Sequence, residues 1–319
     1  MQSVKLVLET GDIYTGSIFA EGDLGCGELI FNTAMCGYEE VLTDPSYNEQ
    51  FVLMTYPLIG NYGITEANTQ SDQLHLNGLI VHEYIPFHSN WQATYSLKEY
   101  LEANNTVGIE GIDTRHLTRK LRYKGALNAL VSCSDESDDH LIEKVRAYDG
   151  ITGKNLAQNV STKERYIFHD AGDKALHVAV IDCGVKTSIL RQLVAVGCSV
   201  TVLPYNSTAE TVLAGGFDGV LLSNGPGDPR PVTETMTLIR DLLGKIPLFG
   251  ICLGHQLLCC ATGFEMTKLT FGHHGINHPI KNMATGLVEI SSQNHIYCAT
   301  QDNIPDHFGI SHVTMYLEP

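Results

Sequence analysis

Ile246-Pro247-Leu248-Phe249-Gly250-Ile251-Cys252-Leu253-Gly254-His255-Gln256-Leu257-Leu258 joins a strand-like run to a helix-like one through a cysteine flanked by glycines. An apolar run of strand length enters Gly-Ile-Cys-Leu-Gly, and a helix-compatible segment leaves it. The glycines at i−2 and i+2 of Cys252 have the spacing of a nucleophile elbow, a sharp turn that needs small flanking residues for its backbone to pass. Such a turn lifts Cys252 out of a sheet and sets its sulfur beside the first N–H groups of the next helix. That position is expected to favour thiolate over thiol. Free cysteine is also among the most buried and inert residue types, so the elbow alone leaves nucleophile and core thiol both open.

Upstream, strands and helices alternate. His177–Asp182, Cys198–Pro204, Phe217–Ser223 and Ile246–Ile251 read as apolar strands, with helices at Lys186–Val196, Ala209–Ala214 and Pro231–Leu243 between them. Pro231 suits a first-turn position. This rhythm predicts a parallel sheet covered on both faces, with ligands gathering at the carboxyl ends of the strands. Two motifs fall at such ends: the Cys252 elbow and Ser223-Asn224-Gly225-Pro226-Gly227-Asp228-Pro229, read as a ligand-contacting loop.

Beyond Gly263 the alternation stops. Phe271-Gly272-His273-His274-Gly275-Ile276-Asn277-His278-Pro279 is read as a loop whose histidines fix backbone, without a metal. Cys259-Cys260, behind the elbow, is expected to pack in the core.

The amino-terminal part has a β texture. Val4–Glu9 and Ile13–Phe19 flank Thr10-Gly11-Asp12 as a hairpin, and Glu28–Thr33, Gln50–Pro57 and Gly78–His82 read as further strands. Gly37–Tyr47 reads as a short helix running into an Asp44-Pro45-Ser46 turn. Ser96–Asn104 opens with a capping box and Asp113–Lys124 is a second helix. Polar, glycine-containing sequence then predicts a boundary: a first domain over 1–150, a linker over 151–176 and a second domain over 177–319.

Composition narrows the class. The chain has 319 residues, 43% hydrophobic and 18% charged, as in ordinary globular domains. A net charge of −16 disfavours nucleic acid and anionic membranes as partners. Nine scattered cysteines without a CxxC pair support neither a zinc ribbon nor a disulfide framework. With no signal-peptide core and no bilayer-length apolar run, the expected location is the cytoplasm. No GxxxxGK[ST] phosphate loop occurs.

Taken jointly, these motifs resemble the small, glutamine-hydrolysing subunit of carbamoyl-phosphate synthetase. Gly250–Gln256 and Ser223–Pro229 resemble class I glutamine amidotransferases at large, and by themselves fit the anthranilate, GMP or CTP synthase enzymes too. Phe31-Asn32-Thr33-Ala34-Met35-Cys36-Gly37-Tyr38-Glu39-Glu40-Val41-Leu42-Thr43-Asp44-Pro45-Ser46-Tyr47 is similar to the synthetase small subunit in particular. So are Tyr56–Gly63, Gly111–Arg115 and Phe271–Gly275. The resemblance implies an α/β protein: an amino-terminal mixed β-rich domain followed by a parallel-sheet amidotransferase domain, shortened at its carboxyl end. It implies Cys252 as nucleophile and the N–H groups of Leu253 and Gly227 as oxyanion donors. It also implies that Ser46, Gly225, Gly227, Leu253, Gln256, Asn294 and Tyr297 surround L-glutamine, with Ser46 reaching across from the first domain. The implied partner is the large synthetase subunit, which makes carbamoyl phosphate from bicarbonate and ATP for arginine or pyrimidine synthesis. ATP and magnesium are expected there, and no cofactor in this chain.

The sequence departs from the family at two places. The His-Pro-Glu motif that activates the cysteine is not found: His278-Pro279 is followed by Ile280, and neither His295 nor His312 has a carboxylate at the motif's spacing. Ile296 stands where the family usually has a small residue, commonly glycine. Two readings follow, a glutaminase subunit and a catalytically impaired or non-catalytic subunit that binds the large partner. An unpaired sheet edge with exposed apolar surface is expected either way.

Overall fold

The computed structural model describes residues 2–172, 174–300, 304 and 308–315. The amino-terminal strands are β1 (Ser3–Leu8), β2 (Ile13–Ala20), β3 (Cys26–Asn32), β4 (Gln50–Met54), β5 (Leu58–Ile59), β6 (Gly78–Ile80), β7 (Glu83–Tyr84), β8 (Val107–Glu110) and β9 (Leu127–Ser132). Seven of them close a barrel in the order β1-β2-β8-β6-β4-β3-β9, while β5 and β7 pair apart. The predicted hairpin is β1–β2, antiparallel with Leu6 opposite Tyr14. Period-two alternation decides which side chains enter the barrel. Val4, Leu6 and Leu8 point inward, whereas Val7 packs outward on Leu141 and Val145 of a helix at Asp138–Arg146.

Strand β4 is buried on both faces. Phe51 and Leu53 fill the barrel, and Val52 and Met54 meet an outer layer that includes Tyr38, Leu42 and Tyr47. That layer is the helix α1 (Tyr38–Leu42) and a single 3-10 turn at Pro45–Tyr47, clamped to the barrel by apolar burial. Burying each such side chain stabilises by about 1.5–3 kcal/mol, which fixes the turn carrying Ser46. Further helices are α2 (Leu97–Ala103), α3 (Thr114–Lys124), α4 (Asp138–Arg146) and α5 (Ala157–Val160). The capping box of α2 is present in both halves, Glu99 N–H to Ser96 Oγ and Ser96 N–H to the Glu99 carboxylate.

The second sheet contains β10 (Tyr166–His169), β11 (His177–Asp182), β12 (Ser199–Pro204), β13 (Gly219–Leu222) and β14 (Leu248–Gly250), in the order β10-β12-β11-β13-β14. The last four run parallel, as the alternation predicts. Strand β10, within the stretch read as a linker, adds antiparallel to β12. Its Tyr166 and Ile167 are exposed, so this edge strand carries little of the apolar signal that marks its neighbours. Helix α6 (Thr187–Ala195) covers one face through Leu190 against Val180 and Val202. Helices α7 (Ala209–Ala214), α8 (Thr233–Leu242) and α9 (Leu253–Ala261) cover the other, with Leu238, Ile239 and Leu257 against Ala179, Ile181 and Leu222. Pro231 lies ahead of the α8 N-cap, Val232, and not in the first turn. Strand β14 is an edge among the described residues, and its Phe249 is 65% exposed, matching the expected apolar edge.

The chain then forms a long hairpin, β15 (Met266–Asn282) with β16 (Val288–Ala299), and β17 (His312–Thr314) pairs on β15. His273-His274-Gly275 therefore sits in a strand, not in the loop the sequence suggested. The hairpin also ties the two domains. Thr33 N–H donates to His274 O at 3.0 Å, Ala126 N–H to Thr270 O at 2.9 Å, and the Phe31 and Phe271 rings lie 5.9 Å apart. On the far side, Thr187 N–H donates to Gln70 O at 2.8 Å. No helix among the described residues is long and apolar enough to cross a membrane.

Candidate active site

Cys252 sits between β14 and α9 with φ 51° and ψ −109°, a strained conformation for a residue with a side chain. Its flanking glycines are required by contact with backbone. A Cβ on Gly254 would stand 2.1 Å from Leu222 O, and one on Gly250 would stand 2.5 Å from the Gly254 carbonyl carbon. The turn is held by Ile251 N–H to Leu222 O at 3.0 Å and Gly254 N–H to Ser223 O at 2.9 Å.

The loop after β13 comes to the same place. Ser223 Oγ accepts from Cys183 N–H and donates to Asn224 O, which locks the loop's first turn. Gly225 passes so close to Cys183 that a Cβ would lie 2.1 Å from its carbonyl oxygen, and Gly227 takes φ +78°. Asp228 is buried at the loop's end. Burial alone would raise its pKa, but hydrogen bonds from Arg230 and from Gly153 N–H outweigh that and hold it below the usual carboxylate range.

Between these loops lies a pocket of about 20 Å³ lined by Ser46, Gln50, Gly225, Gly227, Cys252, Gln256, His274, Asn294, His295 and Ile296. Six of the residues singled out in the sequence meet here: Ser46, Gly225, Gly227, Cys252, Gln256 and Asn294. Ser46 does cross from the barrel domain, and Asn224 Nδ2 donates to its Oγ at 3.0 Å. Gln256 commits its amide nitrogen to Tyr297 O at 2.7 Å. Leu253 contributes through its N–H, which with that of Gly225 is directed at the Cys252 sulfur. Tyr297 adjoins the pocket without lining it. Its hydroxyl pairs with Thr152 Oγ1 at 3.0 Å and the Arg230 guanidinium lies over its ring, so it supports the pocket through its main chain.

The electrostatics reverse one expectation. The N–H groups of Leu253, at the start of α9, and of Gly225 do lower the Cys252 pKa, but burial, followed by the charge of Asp44, pushes it up to about 12. The resting group is a thiol, and Sγ–H donates to Asn294 O at 3.2 Å. Burial pulls His274 down to about 3 and His295 down to about 4, so both imidazoles are neutral near pH 7. His274 Nδ1 pairs with Asn294 Oδ1 at 2.7 Å, and His295 bonds within β16 to Tyr297 O and Gln293 Oε1. Among the described residues no imidazole is in hydrogen-bond contact with Sγ. Cys259 is also unlike the expected core residue: it lies partly exposed with its sulfur 3.8 Å from His255 Nε2, while Cys260 packs against the core.

Sequence reasoning missed Asp44 as part of the site. Only 5% exposed, its carboxylate accepts from Ser46 N–H at 2.9 Å and Asn294 Nδ2 at 3.2 Å, with Asn224 Nδ2 at 3.4 Å. The available signal was an N-cap aspartate directly before Pro45-Ser46, which reads equally well as an ordinary turn. Gln50 carried no signal at all, being an interior strand residue held by Glu28.

The family described as "Carbamoyl-phosphate synthase small chain, CPSase domain" matches residues 6–131, and "Glutamine amidotransferase class-I" matches residues 179–317. A carbamoyl phosphate synthase small chain from Chlorobaculum tepidum is 46% identical over 314 residues, covering 98% of this chain and 86% of that one. The chain belongs to the carbamoyl phosphate synthase small-chain family. The small chain from Syntrophotalea carbinolica is 45% identical over 322 residues, covering 97% of this chain and 86% of its own length. The small chain from Pseudomonas aeruginosa is 43% identical over 327 residues, with 98% and 86% covered. Membership in the small-chain family accounts for both halves at once, the barrel that delivers Ser46 and the amidotransferase sheet that delivers Cys252.

Proposed function

We propose that this chain is the glutamine-hydrolysing subunit of carbamoyl-phosphate synthase, with Cys252 as its nucleophile. The observation that carries the proposal is the convergence of a strained cysteine elbow, two glycine-lined backbone segments and Ser46 from the other domain on one pocket. Sγ attacks the side-chain amide carbon of glutamine, the C–N bond breaks, and ammonia leaves with the proton it gains. Water then hydrolyses the γ-glutamyl thioester to glutamate. The N–H groups of Leu253 and Gly227 are the proposed oxyanion donors, and that of Gly225, which is directed at the sulfur with that of Leu253, is a further candidate. Losing one such donor costs about 10²–10³-fold in rate. Gln256 and Asn294 orient the substrate, and Ser46 makes binding depend on the two domains being docked.

The ammonia is passed to a large subunit, which uses it with bicarbonate and ATP. The nucleotide and its magnesium belong to that partner, and the pair works in the cytoplasm. The test is glutamate and ammonia production by this chain together with the large subunit. Hydrolysis that Cys252→Ser abolishes is the expected result. Absence of hydrolysis with glutamine still bound would favour the non-catalytic reading, and hydrolysis surviving the substitution would remove Cys252 from the mechanism.

A further inference from the structure

We propose that Asp44 is a positioning residue for this site, a carboxylate that orients the Asn224 and Asn294 amides across the domain interface and, through Asn294, the carbonyl that receives the Cys252 thiol. The proposal rests on the glutaminase reading above, and its geometry stands on separate observations.

Each partner of Asp44 comes from a different element. Ser46 N–H is in its own turn, Asn224 follows β13, Asn294 lies on β16, and Lys186 Nζ, at the start of α6, is 3.9 Å away. A carboxylate can only accept, so it sets which way both amides turn. With Nδ2 of Asn294 drawn to Asp44, its Oδ1 faces His274 Nδ1. The same residue's carbonyl receives the Cys252 thiol. With Nδ2 of Asn224 drawn to Asp44 and Ser46 Oγ, its Oδ1 receives Lys186 N–H. One buried charge therefore sets the bonding of the substrate-facing serine, an amide in the pocket wall and the nucleophile's partner. Lys186 Nζ is the cation beside it, and Tyr47, His274 and His295 around the thiol are neutral near pH 7. The charge of Asp44 stands second to burial among the causes that raise the Cys252 pKa, because a nearby negative charge disfavours the thiolate.

Replacing the carboxylate with an amide separates the two roles. Asp44→Asn removes the charge and turns one acceptor into a donor facing an Asn Nδ2. Asp44→Glu keeps the charge and displaces it. In the assembled enzyme, Cys252 alkylation by iodoacetamide, followed by peptide mapping across neutral to alkaline pH, reads the charge. Loss of one neighbouring charge is worth about one pKa unit or more, so Asp44→Asn is expected to alkylate about tenfold faster near pH 8. The same variant is expected to lose about 10²-fold in kcat/KM for glutamine, because the pocket amides are no longer held. Asp44→Glu should keep the wild-type alkylation profile while losing kcat/KM. An alkylation profile displaced to lower pH with unchanged thermal unfolding, together with slower hydrolysis, is a combination that a merely structural role does not produce. An unchanged alkylation profile in Asp44→Asn, in a variant whose thermal unfolding matches wild type, overturns the proposal. If Asp44→Asn fails to fold, slower alkylation of Cys252 in Asp44→Glu would overturn it instead, and a retained profile with lost kcat/KM would support it. A wild-type chain that alkylates as expected but never hydrolyses glutamine would refute the glutaminase reading and leave the role of Asp44 intact.

Discussion

Gly254→Ala places the nucleophile elbow under direct test. The added methyl would meet Leu222 O at 2.1 Å, Leu222 C at 2.5 Å and Leu222 Cβ at 2.7 Å, all well inside the 3.4 Å where ordinary contact begins. The two nearest of these atoms are backbone of β13, a strand in the middle of the sheet, so they do not yield as a flexible side chain would. The helix gains about 1 kcal/mol of intrinsic propensity from the exchange. Overpacking costs about 1–3 kcal/mol, so stability falls modestly at most. The larger effect is on geometry. Relieving the contact moves the start of α9, and with it Cys252 and the Leu253 N–H, by about 1 Å, for which a loss of about 10²-fold in rate is typical. That corresponds to about 2.7 kcal/mol of transition-state stabilisation. The assay is kcat/KM for glutamine with the large subunit present, alongside urea unfolding. Gly219→Ala, where a Cβ meets only Pro247 O at 3.7 Å, is the silent control. Wild-type kcat/KM in Gly254→Ala, with an unchanged unfolding midpoint, would refute the reasoning.

Two other perturbations follow from the pocket. Ile296 is buried in the wall of the pocket of about 20 Å³ beside Cys252, where its bulk narrows the room left for a glutamine side chain. Ile296→Gly should lower KM several-fold with kcat little changed, the signature of relieved uniform binding cost, and an unchanged or higher KM would show that the side chain does not obstruct. Removing a buried isoleucine also costs about 2–5 kcal/mol of stability, so unfolding should be measured in parallel. His274 is buried neutral, with its pKa pulled from the ordinary 6.5 to about 3 by burial. The unfolded chain binds that proton first, so the stability is fully present above about pH 6.5 and falls away as pH drops through the window down to about 3. At pH 5 the loss from this residue is about 2 kcal/mol. His274→Gln should flatten the dependence of the urea midpoint on pH between 7 and 5, and an equally steep curve would assign the loss to other groups.

The sheet was legible because its signal is local and repeated: buried parallel strands are apolar throughout, and the helices between them carry one apolar face. The barrel was only half legible. Its strands alternate as isolated hairpins do, but closure depends on β8 and β9 joining strands far away in sequence. Strand β10 was hidden because an exposed edge needs no apolar run. In the site, Cys252, Gly225 and Gly227 could be read because their backbone demands leave glycines behind. Ser46 and Asn294 were legible only through the family resemblance. Asp44 was not, because a capping aspartate has the same local pattern whether it faces solvent or is buried against another domain. The charge state of Cys252 failed for the same reason. The helix N–H groups adjoin it in sequence, whereas the burial and the carboxylate that outweigh them arrive through tertiary packing.

The central claim, that Cys252 attacks glutamine, is tested most directly by acid-quenching the chain with its large subunit during turnover of γ-carbon-labelled glutamine and mapping the label. The expected result is a γ-glutamyl thioester on the peptide carrying Cys252, formed and lost at rates compatible with ammonia release and absent in Cys252→Ser. Steady ammonia release with no label on that peptide, or label persisting after the substitution, would contradict it.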